Sequence, residues 1–214
     1  MRQAIYHAID RVAIAEKLVQ GGSRVPAAPC YPSQFGCDAA AAVQYAYDPT
    51  KAKALLAEAG YPNGFDTELV SYILPQWEAS VQNYLAAVGI RARMTHLQAS
   101  AAIQRSIEGK NALYLGSWGS YSINDVSALM PFFFTGGGDD YARDAALQTL
   151  VTDGGATTDA AERARNYSAA IKRISENAYW LPLHTYVTTY GLSKQLDFKP
   201  YPDELPRFYL AKWK

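Results

Sequence analysis

The stretch that decides the fold runs from Asp48 to Leu69 and reads DPTKAKALLAEAGYPNGFDTEL. Asp48 is a good helix N-cap, and the proline after it suits the first helical position because its missing N–H would have no partner there. Gly60 can take the left-handed conformation that ends a helix, and a Tyr-Pro-Asn-Gly turn follows. From Phe65 onward, side chains alternate as in a strand. The stretch therefore predicts a helix, a turn and a strand in succession.

Helices and strands continue to alternate after this stretch, which predicts a βαβαβ unit and hence an α/β sheet. The expected helices span residues 49–59, 77–88 and 99–108, and the expected strands span 65–74, 90–97 and 112–118. The third strand is nearly all apolar, which is typical of a central strand. Two more helices, around 141–151 and from about 160 to 178, and an extended segment at 179–190 complete the pattern.

Composition limits the function classes. The chain has 214 residues, 49% of them apolar and 19% charged, and its formal net charge is zero. A balanced charge argues against nucleic acid as a partner, because phosphate neutralisation needs a clustered basic excess. No apolar run reaches the length of a membrane span, and no motif for a cofactor or a metal ion stands out.

Several segments resemble one family, the extracellular solute-binding proteins, family 5, which serve ABC importers of peptides, nickel, glutathione and related solutes. LLAEAGYPNGFD at 55–66 is similar to a characteristic element of that family. RQAIYHAIDR at 2–11, VGIRA at 88–92, GSWG at 116–119 and LPLH at 181–184 are similar to further family elements, in the same order. Together they cover nearly the whole chain.

The resemblance implies a fold and a domain organisation. The fold would be one lobe of a two-lobed periplasmic-binding-protein-like structure of class II, or cluster C, with a mixed sheet flanked by helices. Residues 1–190 would form the C-terminal ligand-binding lobe, and residues 191–214 a crossover and tail that pack on an N-terminal lobe. Because Met1 leads directly into an amphipathic helix pattern, we expect no signal peptide here and expect the chain to be a piece of a longer protein.

Cys30 and Cys37 are the two cysteines of the chain, and a short, turn-prone loop separates them. In a protein that resembles periplasmic ones, this arrangement favours a disulfide. The alternative is a pair of separate thiols. The pair makes a poor zinc site, because no histidine ligands lie nearby in the sequence.

The best candidate for a ligand site follows the expected third strand, because ligands of α/β sheets gather at the carboxyl ends of strands. Aromatic faces, hydrogen-bonding groups and one negative charge occur there together, from Trp118, Ser120, Tyr121, Asn124 and Asp125. The competing interpretation makes the tryptophan a buried strand-end residue and Asp125 the cap of a helix at 126–130. The resemblance favours a loop that faces the cleft.

Two further inferences rest on the resemblance. Peptide-binding members often have an aspartate in the matching loop that pairs with the peptide α-amino group, within an Asp-Pro pattern. Here Asn124 stands where a gapless match puts that aspartate, and Asp125 stands where proline is expected. His184 lies in a segment that resembles the crossover between lobes and would face the cleft, although a packed histidine is the competing interpretation.

The function implied is that of the solute-binding component of an ABC importer, located in the periplasm or outside the membrane. It would bind a peptide or other small polar solute between two lobes, need no cofactor, and deliver the solute to permease subunits. An α/β hydrolase-like enzyme and the ligand-sensing lobe of a receptor are the alternatives. The enzyme is disfavoured because no nucleophile elbow, dinucleotide glycine pattern, P-loop or HExxH motif occurs in the chain.

Overall fold

In the computed structural model, which describes residues 1–19, 21–119, 123–201 and 203–214, a parallel three-stranded sheet organises one half of the molecule. Its order is β2-β1-β3, with β1 at Phe65–Ser71, β2 at Ile90–His96 and β3 at Leu113–Leu115. The main α-helices, in chain order, are α1 (Arg2–Ala8), α2 (Arg11–Ala13), α3 (Pro49–Glu58), α4 (Pro75–Ala87), α5 (Ala99–Ile107), α6 (Met130–Phe134), α7 (Ala145–Ala156) and α8 (Ala160–Glu176). A π-helical turn at Ile14–Val19 continues α2.

The stretch from Asp48 to Leu69 folds as its sequence predicts. Asp48 accepts a hydrogen bond from the backbone N–H of Lys51 at 2.9 Å and so caps α3. After α3, Gly60 has a φ of 88°, and Gly64 has a φ of 72° immediately before β1. The cap and the left-handed glycines are the local signals that set both ends of the helix and the entry to the sheet.

The third strand differs from its expectation. β3 is short, and in the described residues it pairs with β1 alone, so it lies at an edge rather than at the centre of the sheet. β1 holds the central position because it pairs with β2 on one side, from Phe65 opposite Ile90 to Ser71 opposite His96, and with β3 on the other. An apolar run alone does not separate a central strand from an edge strand that is half-buried on both faces.

The sheet carries one of two hydrophobic clusters, which we call the sheet core. It consists of buried residues from α1, the turn after it, α3, β1, α4 and β2, namely Ala4, Ala8, Ile9, Ile14, Ala52, Leu56, Leu69, Val81, Leu85, Val88, Ile90 and Ala92. These side chains are aliphatic. They pack the helices on the sheet at the periodicity seen in the sequence.

The second cluster, which we call the helical core, lies between α6, α7, α8 and the loop after the first helices. Its buried residues are Ala28, Ala42, Val126, Leu129, Met130, Phe134, Leu147, Val151, Tyr167, Ala170, Ile171 and Ile174. α7 begins later than expected because Asp144 caps it, accepting hydrogen bonds from the backbone N–H groups of Ala146 and Leu147. α8 matches its predicted start.

The segment expected to be extended at 179–190 forms no strand in the described structure. It is anchored instead to the loop at 23–24. Thr185 donates its backbone N–H to the carbonyl of Arg24 at 2.8 Å, and its hydroxyl accepts from the N–H of Arg24 at 3.0 Å. Pairing with a single loop position is too short to make a sheet.

The C-terminal residues form a small antiparallel pair, β4 (Leu196–Asp197) with β5 (Lys212–Trp213). Between and after these strands, large apolar side chains are exposed, among them Leu205, Phe208 and Tyr209. Within the described ranges, no helix has both the length and the apolar character needed to cross a membrane.

Candidate functional site

The carboxyl ends of β1 and β3 lie side by side, because Ser71 of β1 is in register with Leu115 of β3. The residues that follow these strands are joined by a polar clasp. The backbone N–H of Ser117 donates to the hydroxyl of Tyr72 at 3.0 Å, and that hydroxyl lies 3.0 Å from the Ser117 carbonyl oxygen, to which it donates. The clasp fixes Tyr72 at the edge where α/β sheets bind ligands.

Aromatic side chains cluster around this clasp. The set, which we call the carboxyl-end aromatic surface, consists of Tyr72, Trp77, Tyr114, His184 and Tyr186. The rings of Tyr72 and Tyr114 are 6.3 Å apart, and the ring of Trp77 lies 4.5 Å from that of His184 and 5.3 Å from that of Tyr186. Trp77 is buried, whereas Tyr186 is 49% exposed. The surface thus has a rigid buried base and solvent-facing rings.

Burial shifts the pKa values of three side chains in this surface. Partial burial lowers the pKa of His184, although a contact with the Thr185 carbonyl opposes that shift. Burial also raises the pKa of Tyr114 and of Tyr186. Each of these shifts favours the neutral form of the side chain, and the three rings offer flat faces and hydrogen-bonding groups.

Trp118 lies at the border between this surface and the helical core. Its ring centroid is 4.7 Å from that of Phe132 and 5.0 Å from that of Phe133. It is half-buried and packs against the helical core. The packing interpretation of Trp118 thus has direct contacts, and a role in the cleft stays a prediction.

Asp125 is engaged within the protein. One carboxylate oxygen accepts from the backbone N–H of Ser127 at 2.8 Å and so caps a 3-10 turn at Val126–Ala128. The guanidinium of Arg163 binds both carboxylate oxygens, at 3.1 and 3.0 Å. The geometry matches the capping interpretation and adds an ion pair that reaches across to α8.

A disulfide joins Cys30 to Cys37, as expected. The loop it closes docks on the residues around Asp125. The backbone N–H of Phe35 donates to the Asn124 carbonyl, and the N–H of Val126 donates to the Phe35 carbonyl, both at 3.0 Å. The exposed Asn124 side chain also accepts from the Ser33 hydroxyl at 3.4 Å. The loop therefore fixes the backbone of the predicted site.

Ser120 and Tyr121, two of the predicted site residues, lie outside the described residues. Of the others, the structure brings Asn124 and Asp125 together at the disulfide loop. It places His184 in the carboxyl-end aromatic surface, apart from that loop. The predicted residues therefore divide between two neighbouring features.

Sequence reasoning missed several residues of the site. Tyr72 and Tyr114 belong to strands β1 and β3 or follow them directly, so the rule that ligands gather at strand ends could have identified them. Trp77 lies in the first turn of α4 and carries no local signal. Arg163 lies far along the chain from Asp125, and no pattern in the sequence links the two.

In the described part of the chain, histidine, cysteine and acidic residues form no group of three or more that could hold a metal ion. The nearest approach to such a group is a pair at the end of β2. There the Nδ1 atom of His96 lies 2.8 Å from the buried carboxylate of Glu78. This pair supplies two potential ligands, and a zinc site needs at least three from the protein.

Sequence comparison relates the chain to binding proteins. A profile described as bacterial extracellular solute-binding proteins, family 5 Middle, matches residues 1–140. Heme-binding protein A of Haemophilus influenzae is 29% identical over 197 residues, covering 86% of this chain and 36% of that protein. Glutathione-binding protein GsiB of Pectobacterium atrosepticum is 31% identical over 228 residues, covering 97% of this chain and 43% of that protein. The chain thus spans about two fifths of the length of these relatives.

Solved structures show the same architecture. HbpA2 from Haemophilus parasuis superposes on 100% of this chain and 44% of its own, with a TM-score of 0.84 and 28% identity. A dipeptide binding protein from Pseudoalteromonas, in complex with Met-Leu, also covers 100% of this chain and 45% of its own, with a TM-score of 0.80. At 22% identity, that second likeness concerns the fold alone. These neighbours are two-lobed periplasmic binding proteins, and the α/β fold described above is one lobe of theirs. The chain belongs to the bacterial extracellular solute-binding proteins, family 5.

Proposed function

We propose that this chain is the C-terminal lobe of the solute-binding component of an ABC importer. It would bind a peptide or another small polar solute in a cleft shared with a second lobe. The observation that carries the proposal is the combination of the family match over residues 1–140 with an aromatic surface at the carboxyl ends of β1 and β3. In α/β sheets this edge is where ligands gather.

The division of the chain follows from the same proposal. Residues 1–190 hold both hydrophobic cores and the candidate site, and residues 191–214 form the crossover and tail. Exposed apolar side chains on the tail, from Leu205 to Trp213, support a role in packing against the second lobe. Exposed apolar patches of this kind mark interaction surfaces.

Binding would proceed without covalent chemistry, by closure of the two lobes around the solute. The relatives are named for what they bind, and this supports a binding role over the hydrolase alternative. The closed form would be presented to permease subunits of the importer. A periplasmic or extracellular location is supported by the family description and by the disulfide between Cys30 and Cys37.

The proposal is tested by native mass spectrometry of the two-lobed protein that contains this chain, purified gently and compared with the same protein after unfolding and refolding. We expect a small solute to be bound in the first sample and absent from the second. Adding the identified solute back should reduce the radius of gyration in X-ray scattering, because closure compacts a two-lobed binder.

The isolated 214-residue chain serves as the control. We expect it to bind the same solute at least about a hundredfold more weakly, because the contacts of the second lobe are missing and each 1.4 kcal/mol lost costs a factor of ten. Equal affinities for the chain and the two-lobed protein would contradict the interlobe cleft. Turnover of the solute that His184→Gln abolishes would favour the enzyme instead.

A further inference from the structure

We propose that the carboxyl-end aromatic surface receives an aromatic side chain of a short peptide, and that Asp125 is a positioning residue rather than the partner of the peptide α-ammonium group. The inference rests on the proposed function and deepens it, because it names the class of solute and the way this lobe reads it. It departs from the role that the family resemblance suggests for an aspartate in this loop.

The charge of Asp125 is already paired within the protein. Its carboxylate is 20% exposed and is held by both of its oxygens on the Arg163 guanidinium, which is 24% exposed. A single nitrogen of Arg163, Nη2, donates to both oxygens, and this charge-assisted pair neutralises the carboxylate. A ligand ammonium group would have to displace this arginine or share the carboxylate with it.

Arg163 is itself held by other contacts. Its Nε atom donates to the Gly154 carbonyl at 3.1 Å, and its guanidinium lies 5.2 Å from the ring centroid of Phe35 in the disulfide loop. Moving the arginine away would therefore break a hydrogen bond and a cation–π contact together. The arginine has partners on α7 and on the loop, and these hold it in place beside Asp125.

Asp144 and Arg173 form a comparable ion pair elsewhere on α8. Asp144 caps α7 and is bound through both oxygens by Arg173, at 2.6 and 3.0 Å. Asp144 lies in the helical core region and takes part in no predicted ligand site. Both arginines lie on α8, and each binds an aspartate that caps another helical element, the 3-10 turn at Val126–Ala128 or α7. This shared arrangement indicates a structural role for Asp125.

The carboxyl-end aromatic surface offers rings and neutral polar groups to a ligand. Tyr72, Tyr114 and Tyr186 present rings and hydroxyl groups around a buried Trp77, and the neutral form of His184 completes the set. Two carboxylates border this surface, Asp139 near Tyr114 and Glu204 near Tyr186. Tilted and edge-to-face aromatic contacts favour another ring over an aliphatic side chain of similar size.

The test uses four probes, the tripeptides Ala-Phe-Ala and Ala-Leu-Ala, each with a free or an acetylated amino terminus. Affinities are measured by calorimetry for the two-lobed protein of the proposed function. We expect Ala-Phe-Ala to bind about tenfold more tightly than Ala-Leu-Ala. We expect Tyr186→Ala to remove most of that preference. Tyr61→Ala is the matched control, because Tyr61 is 39% exposed and stacks on Phe65 at the opposite end of β1.

The role of Asp125 is measured as a coupling. The ratio of affinities for the free and the acetylated peptide is compared between the unchanged protein and Asp125→Asn, and we expect the ratio to change by less than about twofold. Asp144→Asn provides the matched structural control. If Asp125→Asn does not fold, Arg163→Gln gives a second readout. It leaves Asp125 uncompensated and should shift the ratio toward the free amine.

The contrary outcomes are distinct. A tenfold collapse of the free-amine preference in Asp125→Asn, at unchanged melting temperature, would overturn the positioning role. Equal affinities for the Phe and Leu peptides, or no binding of any probe, would overturn the aromatic subsite. Either result leaves the proposed function to be decided by the co-purifying solute, so the failure of one is distinguishable from the failure of the other.

Discussion

The sheet core and the helical core are built by different means. In the sheet core, aliphatic side chains of α3, α4, β1 and β2 pack around a backbone ladder that runs from Phe65 opposite Ile90 to Ser71 opposite His96. In the helical core, polar side chains connect segments that are distant in the chain. The Asp125–Arg163 and Asp144–Arg173 ion pairs both tie loops to α8, and the Ser168 hydroxyl donates to Asp38 at 2.7 Å.

The sheet core thus depends mainly on the periodic pattern of apolar residues, and the helical core depends on contacts between residues far apart in the chain. Backbone ladders and amphipathic helices follow from residues close together in sequence. Hydrogen bonds and ion pairs of the helical half link α8 with residues 38–45 and with Asp125 and Asp144. They depend on folding to bring those segments together. The candidate site lies where the two meet, since Tyr72 and Tyr114 come from the sheet and Asn124 and Asp125 are held by the disulfide loop.

The largest loss of stability is expected at Gly64, where two backbone segments of the sheet half approach each other most closely among the described glycines. Gly64 has a φ of 72°, and a Cβ at this position would overlap the carbonyl oxygen of Gly89. That oxygen accepts the Phe65 N–H at 3.1 Å, in the first rung of the β1–β2 ladder. We expect Gly64→Ala to lower the free energy of unfolding by about 3 to 4 kcal/mol through left-handed strain and displacement of this rung. Urea denaturation measures the change.

Gly60→Ala is the matched control for this prediction. Gly60 has a φ of 88°, but a Cβ there would meet no atom within 4 Å. Only the backbone penalty applies, so we expect a loss of about 1 kcal/mol. Equal losses at Gly60 and Gly64 would contradict the importance of the close approach to Gly89.

How much of this could be read from the sequence follows the same division. The helix, turn and strand from Asp48 to Leu69 form as predicted because each boundary is set by a cap, a proline or a glycine within a few residues. The edge position of β3 could not be read, because strand order depends on pairing that the apolar pattern does not encode. The late start of α7 depends on the Asp144 cap, one polar residue in a stretch with several.

The candidate site was predictable only in part. The sequence around Asp125 is consistent with either a helix cap or a ligand contact. Which of the two applies depends on Arg163, which lies 38 residues away. His184 lies in a segment expected to face the cleft, which stays a prediction, and its ring partner Trp77 belongs to another element. Side-chain partners brought together from distant segments have no signature in a single sequence, and so the packed role of Asp125 needed the structure.

The next largest loss of stability is expected from removing the Cys30–Cys37 disulfide of the helical half. Replacing both Cys30 and Cys37 by serine opens a short loop with a sequence separation of 7. Loop-closure entropy for a ring of this size gives a loss of about 2 to 3 kcal/mol in the free energy of unfolding. Because the loop is bonded to Asn124 and Val126, hydrogen exchange should accelerate at residues 124–130 and stay unchanged in β1 and β2.

Reduction provides the control for that prediction. Dithiothreitol should reproduce the loss in the unchanged chain and have no further effect on the double variant. Faster exchange throughout β1 and β2 would show that the two cores unfold as one unit. The difference between the sheet core and the helical core would then apply to their contacts in the folded state and not to the order in which they unfold.

The smallest effect is expected from a single ion pair of the helical half. The hydrogen bonds from Arg173, with further ones from Tyr179 and the Leu147 N–H, lower the pKa of Asp144 to about 2. Since the pKa is depressed in the folded chain, the stabilisation is present above the ordinary aspartate pKa near 4 and disappears as the pH falls from about 4 to about 2. With Arg173 partly exposed and screened, we expect about 1 to 2 kcal/mol to be lost over that interval.

Urea denaturation at pH 6 and at pH 2 measures this loss without adding salt. Asp144→Asn should be clearly less stable than the unchanged chain at pH 6 and nearly equal to it at pH 2. Asp66 in the sheet half is the matched comparison, because it also pairs with an arginine, Arg91, at 2.8 Å, yet lies open to solvent. Solvent screens such a pair, so Asp66→Asn should leave the pH dependence nearly unchanged. If instead Asp66→Asn removed the acid-labile stability and Asp144→Asn did not, ion pairs would matter more to the sheet half, and the contrast between the two cores would be reversed.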